Sequence, residues 1–313
     1  MPPRILTVTL NPALDITTTT AKLLPQQKLR CDAPRYDPGG GGINVSRVIK
    51  ELGGESLAFA ALGGRTGAMM KRMLDDAGLD VEAWRSRGDT RFSMTVMEEQ
   101  TGLHYRFVLP GPEQPVASAT RLLRRLGERA AAGYGFVVAS GSLPPGLPID
   151  LYGRLAEIAR ANGAKLILDT HGEALRAALP HRPWLIRLNH HEAQELLGGD
   201  ADRAAHDLAR ELVERGSAEI AIVAIGERGA FLVSADHSIE IAPPHVDVRS
   251  MVGAGDSFVG AMTLALSRGW PIDDATRYGV AAAAAAVTTE ATELCEASKV
   301  ADLFAEMGGR QAA

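Results

Sequence analysis

The chain has 313 residues, 46% hydrophobic and 23% charged, with a formal net charge of −5 at pH 7. That is length enough for a core of its own. The acidic balance excludes the broad basic footprint of a duplex binder, and an aromatic share of 5% speaks against base stacking, so no nucleic-acid partner is expected. Cys31 and Cys295 lie far apart without metal-ligand spacing, so a reducing, cytoplasmic setting is the default. Met1 to Leu10 lacks the apolar block of a signal peptide. The longest apolar run, Val280 to Val287, is too short and alanine-rich to span a bilayer, so no membrane partner is expected. Glycine numbers 33, above the usual ~7%, and has no collagen-like period. These glycines must mark places of close approach or positive φ.

In chain order, Ile5 to Leu10 alternates like a strand, and the cluster Gly39–Gly42 opens a helical stretch over Val45 to Leu52. Arg91 to Val96 then has period two, with Phe92, Met94 and Val96 on one face and Arg91, Ser93 and Thr95 on the other. A turn at Gly102 leads to His104–Val108, which alternates again and reads as the second arm of an antiparallel hairpin. Thr17 to Arg30 is expected to add strands to it. Such a small sheet is marginal alone and must lean on a substrate or another subunit. Beyond it, short apolar runs (Phe136–Ala139, Leu166–Leu168, Trp184–Ile186, Ile220–Ile225) alternate with helical segments at Leu151–Ala161, Glu192–Leu197 and Ala204–Glu214. The fold class is therefore α/β, a mostly parallel sheet with helices on both faces, plus a small β-sheet.

The strongest chemical signal is Val252-Gly253-Ala254-Gly255-Asp256-Ser257-Phe258-Val259-Gly260-Ala261. Phe258, Val259, Met262 and Leu266 repeat as a helix face, which places Gly253, Ala254 and Gly255 at a helix N-terminus with N–H groups free for an anion. Asp256 beside them can orient a hydroxyl and take its proton, or simply cap the helix. The second signal is Gly39 to Gly42 followed by Ile43-Asn44. Bare backbone there suits a sugar ring with Asn44 on its hydroxyls, or a plain loop; the run is contiguous, unlike a dinucleotide fingerprint. Asn189-His190-His191-Glu192 follows a strand, so Asn189 and Glu192 could hold Mg²⁺ through water, while the histidines lack zinc spacing and read as solvent-facing or capping. Ala224 to Gly229 is mostly a hairpin signal. Lys28, Arg30, Arg91 and Arg106 are expected to fall together on the small sheet, as a phosphate grip or a solvated charged face.

Together these motifs resemble the PfkB, or ribokinase-like, family of sugar kinases over nearly the whole chain. Asn11-Pro12-Ala13-Leu14-Asp15, Gly39 to Asn44, Ser140-Gly141-Ser142-Leu143-Pro144-Pro145-Gly146 and Val252 to Ala261 are similar to its motifs, in order. The first signature, Tyr105-Arg106-Phe107-Val108 and the Ser-Gly-Ser loop are similar to its phosphosugar branch, of the 6-phosphofructokinase type. Fructose-1-phosphate and tagatose-6-phosphate kinases, the alternatives, usually carry lysine where Gly41 stands. The resemblance implies one ribokinase-like domain over 1–313, a three-layer α/β/α core with lid strands inserted at about 16–36 and 91–109 and a dimer clasp through that lid. It implies MgATP-dependent phosphorylation of fructose 6-phosphate to fructose 1,6-bisphosphate, with Asp256 as base and Gly253, Ala254 and Gly255 as the anion hole. Asp15, Gly40, Gly41, Asn44 and Ser142 would hold the sugar, and Lys28, Arg30, Arg91 and Arg106 its phosphate. Arg187, Asn189, Glu192, Ala224, Gly226, Gly229, Gly279 and Ala283 would line the nucleotide, with Mg²⁺ at Glu192 and Asn189 and a K⁺ loop at Ser250. The chain departs from the family at Arg187-Leu188-Asn189, where Lys-Pro-Asn is usual, at Ala224, where Ser or Thr is common, and at Ala283, Ala284 and Glu293. A non-catalytic sugar-phosphate-binding regulator on the same fold is the rival reading.

Overall fold

The computed structural model describes residues 3–198, 203–290 and 293–309. In chain order the elements are β1 (Arg4–Thr9), β2 (Ala13–Thr20), β3 (Arg35–Gly39), α1 (Gly41–Glu51), β4 (Leu57–Leu62), α2 (Gly64–Asp76), β5 (Asp80–Arg85), β6 (Arg91–Glu98), β7 (His104–Val108), α3 (Ser118–Ala131), β8 (Tyr134–Ser140), α4 (Leu151–Ala161), β9 (Lys165–Asp169), α5 (Gly172–Ala178), β10 (Leu185–Asn189), α6 (His190–Leu197), α7 (Ala205–Glu214), β11 (Ile220–Ala224), β12 (Ala230–Ser234), β13 (Ser238–Ile241), α8 (Ala254–Ser267), α9 (Ile272–Ala286) and α10 (Ala297–Glu306).

Among the described residues, nine strands form one sheet in the order β13-β12-β11-β10-β9-β8-β1-β4-β5. Pairing is parallel from β11 to β5, and β12 and β13 add an antiparallel edge. The central strands are apolar on both faces because both faces are covered. Leu6, Val8, Val137 and Leu166 pack with Leu122, Leu126, Leu155 and Leu212 of α3, α4 and α7. Ile5, Val138, Ile167 and Ile222 pack with Val45, Val48, Phe258 and Val259 of α1 and α8. This is the three-layer α/β/α architecture expected from the alternation of runs and helices.

The second sheet has the order β3-β2-β6-β7. β6 and β7 form the expected hairpin, with Thr95 opposite Arg106. β2 joins β6 in parallel, with Asp15 opposite Ser93. Two expectations need correcting. The stretch from Thr17 to Arg30 supplies strand only as far as Thr20, and the next strand begins at Arg35. Lys28 and Arg30 therefore lie on the β2–β3 connection with exposed side chains, not on the sheet. The hairpin's polar face is the inner one: Ser93 and Thr95 are buried, while Met94 is 37% and Phe107 47% exposed. The apolar face is divided: Met94 and Phe107 turn outward, Val96 is buried, and Leu14 and Phe92 pack with Ile43, Met70 and Leu74 at the base of the sheet.

α8 and α9 lie against each other, and Gly279 of α9 makes the approach possible. A β-carbon there would stand 2.9 Å from the carbonyl oxygen of Phe258 and 3.1 Å from its ring. Gly279 is thus buried between helices, where the bare position serves packing. Gly279→Val should overpack this contact and lower stability by about 1–3 kcal/mol, read from the midpoint of a urea titration; an unchanged midpoint would show that the helices separate without cost.

Candidate active site

The cleft opens at the carboxyl ends of β1, β8, β9 and β10, where open α/β sheets place their ligands. Asp256 sits in the first turn of α8, whose N-cap Gly253 has φ 78° and provides no side-chain cap. The first N–H groups of a helix have no intrahelical acceptor, so this end is available to an anion. Asn44 Nδ2 donates to Asp256 Oδ2 at 2.9 Å, and Ser140 Oγ reaches Asp256 Oδ1 at 3.4 Å and Asp169 Oδ2 at 3.5 Å. Burial, and then the neighbouring Asp169 carboxylate, push Asp256 up to about 7, against the opposing pull of Asn44, Arg187 and Ser140. An acid placed there takes and returns a proton near neutral pH.

Arg187 Nη1 lies 3.6 Å from Asp169 Oδ1. A β-carbon on Gly255 would stand 2.8 Å from the same nitrogen, so Gly255 is bare in order to admit this guanidinium beside the helix end. Arg187 Nε is buried without a hydrogen-bond partner, a donor left over for an anionic ligand. Asp169 and Arg47 belong to none of the motifs read in the sequence, and Ser140 enters there only as the start of the Ser-Gly-Ser motif. Asp169 closes the apolar run Leu166–Leu168, a position where a lone acid at a strand's carboxyl end is a signal. Arg47, one turn beyond Asn44, donates through Nη1 to Asn44 Oδ1 at 3.2 Å and to the Pro38 carbonyl at 3.3 Å. It thereby fixes which end of the Asn44 amide meets Asp256. Burial lowers its pKa, against the opposing pull of Asp37 and Asp15.

The glycine run faces the protein's own side chains rather than open space. A β-carbon on Gly39 would meet Asp15 Oδ2 at 2.0 Å, and one on Gly41 would meet Ser140 Oγ at 2.0 Å. Gly40, with φ 123°, lies against Thr9, and Gly42 against the Val8 carbonyl. Packing alone therefore requires this bare backbone: Asp15, Thr9 and Ser140 occupy the space that β-carbons would claim. Ser142 accepts from Asn11 Nδ2 at 3.0 Å.

On the small sheet's inner face, Asp15 is flanked in register by Asp37 and Ser93. Burial raises its pKa, while the Arg106 charge, the Ser93 hydroxyl and the Arg91 charge act the other way. Arg91 and Arg106 are brought together with Asp15. The Lys28 and Arg30 side chains are exposed on the β2–β3 connection, and the Arg30 carbonyl is tied to the sheet, accepting from the Thr20 hydroxyl at 3.2 Å. Arg91 spends its guanidinium on the Asn11 and Leu109 carbonyls at 3.1–3.3 Å. Arg35, on the same face as Asp37, donates to Glu293 at 2.8 Å, tying the small sheet to the segment after α9.

Towards the other end, Asn189 and Ala224 are partners in register. Asn189 and Glu192 form a capping box: Asn189 Oδ1 accepts from the Glu192 N–H and Glu192 Oε2 from the Asn189 N–H, both at 2.8 Å. His190 bonds the Arg203 carbonyl, and His191 is exposed beside Glu195, as expected of non-ligands. Gly226 and Gly229 shape the turn of the β11–β12 hairpin; a β-carbon on Gly229 would meet the Ile241 carbonyl. Gly226 faces open space and Ala283 is half-buried. Ser250 is buried, and its hydroxyl accepts from the Val252 N–H at 3.2 Å. Among the described residues no group of three or more His, Cys, Asp or Glu side chains is arranged to cage a metal. Among the described residues no helix is long and apolar enough to cross a membrane.

The pfkB family carbohydrate kinase profile matches residues 8–299. The chain belongs to this family of carbohydrate kinases. It is 44% identical over 304 residues to the ATP-dependent 6-phosphofructokinase isozyme 2 of Mycobacterium tuberculosis, covering 96% of this chain and 89% of that one. It superposes on phosphofructokinase-2 from Escherichia coli, solved in complex with potassium, with a TM-score of 0.91 at 37% identity over 98% and 99% of the two chains. A 1-phosphofructokinase of Xanthomonas campestris is 33% identical over 87% of this chain and 85% of its own. The fold is therefore ribokinase-like, and the chain is a sugar-kinase phosphotransferase.

The raised acidity constant of Asp256 has a thermodynamic consequence. Unfolded, this carboxyl ionises near its ordinary 3.8; folded, it does so near 7. Between those values the folded form holds a proton that the unfolded form lacks, so stability falls as pH rises through the window. Asp256→Asn escapes this loss. Its stability relative to wild type should climb between pH 4 and 8 by on the order of 2 kcal/mol, less than the full shift because the group is half-buried; parallel stability curves in urea would contradict it.

Proposed function

We propose that this chain transfers the terminal phosphoryl group of ATP to the C1 hydroxyl of fructose 6-phosphate, giving fructose 1,6-bisphosphate and ADP. The observation that carries the reading is Asp256: a carboxylate ionising near 7, at an uncapped helix N-terminus, anchored by Asn44 next to the sheet that presents Asp15. The 6-phosphofructokinase names of the similar proteins support the choice of sugar.

In this reading Asp256 takes the C1 hydroxyl proton as the oxygen attacks phosphorus. Gly253, Ala254 and Gly255 present backbone N–H groups to the charge that builds on the moving phosphoryl oxygens. Arg187, with its unused Nε, meets the same charge from the strand side. Asp15, Gly40, Gly41, Asn44 and Ser142 orient the sugar hydroxyls. Arg106, with Arg91 beside it, receives the 6-phosphate; Lys28 and Arg30 stand further out on the β2–β3 connection as outer cations.

The nucleotide lies along Arg187, Asn189, Ala224 and Gly226, with Gly229 shaping the turn and Ala283 on the α9 side; Gly279 supports α9 from within. Mg²⁺ fits a set of carboxylates that leaves most of its shell to water and phosphate. Glu192 has Oε1 left over from the capping box and would hold the ion through water with Asn189. The ion neutralises phosphate charge. K⁺ would occupy the loop of Ser250, close to the turn where Arg249 and Ser250 N–H both donate to the Val287 carbonyl. A cytoplasmic setting belongs to the same reading.

Asp256→Asn should lower kcat/KM by roughly 10²–10⁴-fold, while fructose 6-phosphate binding measured by calorimetry persists. Wild-type kcat/KM should rise with pH through about 7, where Asp256 loses its proton. ADP release across fructose 6-phosphate, fructose 1-phosphate, tagatose 6-phosphate and free fructose should favour the first; preference for free fructose would defeat the phosphate grip.

The outward face of the small sheet carries Tyr36, Met94 and Phe107 in register through Ile16, with Tyr105 two residues before Phe107 on β7. Such a contiguous apolar face suits a second copy of the same sheet. Phe107→Asp should convert a dimer to a monomer in analytical ultracentrifugation; an unchanged sedimentation coefficient would place the contact elsewhere.

A further inference from the structure

The β6–β7 hairpin of the small sheet is joined to the core by two connections, residues 86–90 from β5 to β6 and residues 109–117 from β7 to α3. Gln114 ties them together. Its buried side chain accepts from the Arg87 N–H at 3.0 Å and donates to the Ser86 hydroxyl, the Arg87 carbonyl and the Pro112 carbonyl at 2.8–3.1 Å. Its two N–H groups share three acceptors and its carbonyl oxygen takes one donor, so the side chain is held in place as a wall.

Against that wall lies a pocket of about 500 Å³, lined by Arg85, Arg87 and Arg121 from the end of β5, the first connection and α3. That volume is ordinary for a small-molecule site. Among the described residues no carboxylate lies within 4 Å of the three guanidinium groups. The contrast within α3 is direct: Arg125 and Arg129 both pair with Glu82, whereas Arg121 has no such partner. The lining acid, Asp89, has one carboxylate oxygen, Oδ1, accepting from the Arg65 N–H at 2.8 Å. The lining hydroxyl of Ser118 is spent on the Pro115 carbonyl at 2.6 Å.

Three forked, permanently charged donors from separate segments face one concavity with a single carboxylate among them. Guanidinium groups match the oxygens of phosphate bidentately. No aromatic ring lines the pocket, so a nucleobase would find nothing to stack on. We propose that this pocket is a binding site, separate from the sugar and nucleotide cleft, for a small non-aromatic molecule bearing phosphate groups. It does not depend on which sugar the cleft phosphorylates.

The test uses inorganic pyrophosphate, without divalent metal, titrated calorimetrically into the full chain. The wild type should bind one pyrophosphate per chain at this site. The triple variant Arg85→Gln, Arg87→Gln, Arg121→Gln should bind it at least tenfold more weakly, while Arg106→Gln, altered in the cleft, should keep wild-type affinity within twofold. Since the three positions are exposed and outside the catalytic machinery, the triple variant should keep its melting temperature and its phosphoryl-transfer rate without pyrophosphate. Equal affinity in the triple variant and wild type would overturn the proposal. So would loss of binding in Arg106→Gln, which would assign the anion to the cleft, or no binding at millimolar pyrophosphate.

Discussion

The seam between the two sheets is made of backbone without side chains. Gly39 ends a strand of the small sheet and Gly41 begins a helix of the core, so the chain crosses from one to the other in the space of a single turn. Asp15, Thr9, Ser140 and the Val8 carbonyl fill the volume that four β-carbons would claim. Any larger residue would push apart the strand bearing Asp15 and the helix bearing Asn44. The distance from Asp15 to Asp256 is set by this contact.

Beyond the seam the site is governed by a balance of charge in a confined space. Asp169 and Asp256 repel, Arg187 lies between α8 and the strand ends, and Asn44 and Ser140 bridge what remains. Gly255 repeats the device seen at the seam: a missing side chain makes room for a charged group of the protein itself. Arg47 stands behind Asn44 and removes the freedom of its amide to flip. The result is a proton acceptor of near-neutral strength without any histidine in contact with it.

The architecture was legible wherever periodicity carried it. The alternation in Arg91–Val96 and His104–Val108 and the apolar runs of the core all became the elements expected of them, and the glycine-acid motif opened a helix as read. What escaped was information held between distant stretches. Asp169 is one acid after an apolar run, and only the neighbouring strand ends reveal that it faces Arg187 and Ser140. Lys28 and Arg30 were grouped with Arg91 and Arg106 by charge, but the segment that bears them has no alternation to hold it in a sheet. Gly279 was read toward a ligand because a sequence does not say which face of a helix meets Phe258. The alternation in the hairpin separates its polar and apolar residues, but burial does not follow it throughout: Ser93, Thr95 and Val96 are buried and Met94 is exposed.

The parallel pairing of β2 with β6 has a consequence for how the molecule assembles. β2 pairs with β3, the next strand in the chain, but Ala13 and Thr20 find Arg91 and Glu98 only after β3, α1, β4, α2 and β5 have been laid down between them. Closing so long a stretch costs chain entropy before any ladder bond repays it. The small sheet is thus incomplete until the chain beyond β5 is in place. Until β6 arrives, the edge of β2 is open to strands of other chains, which makes the interval before this pairing the vulnerable stage of the protein's synthesis.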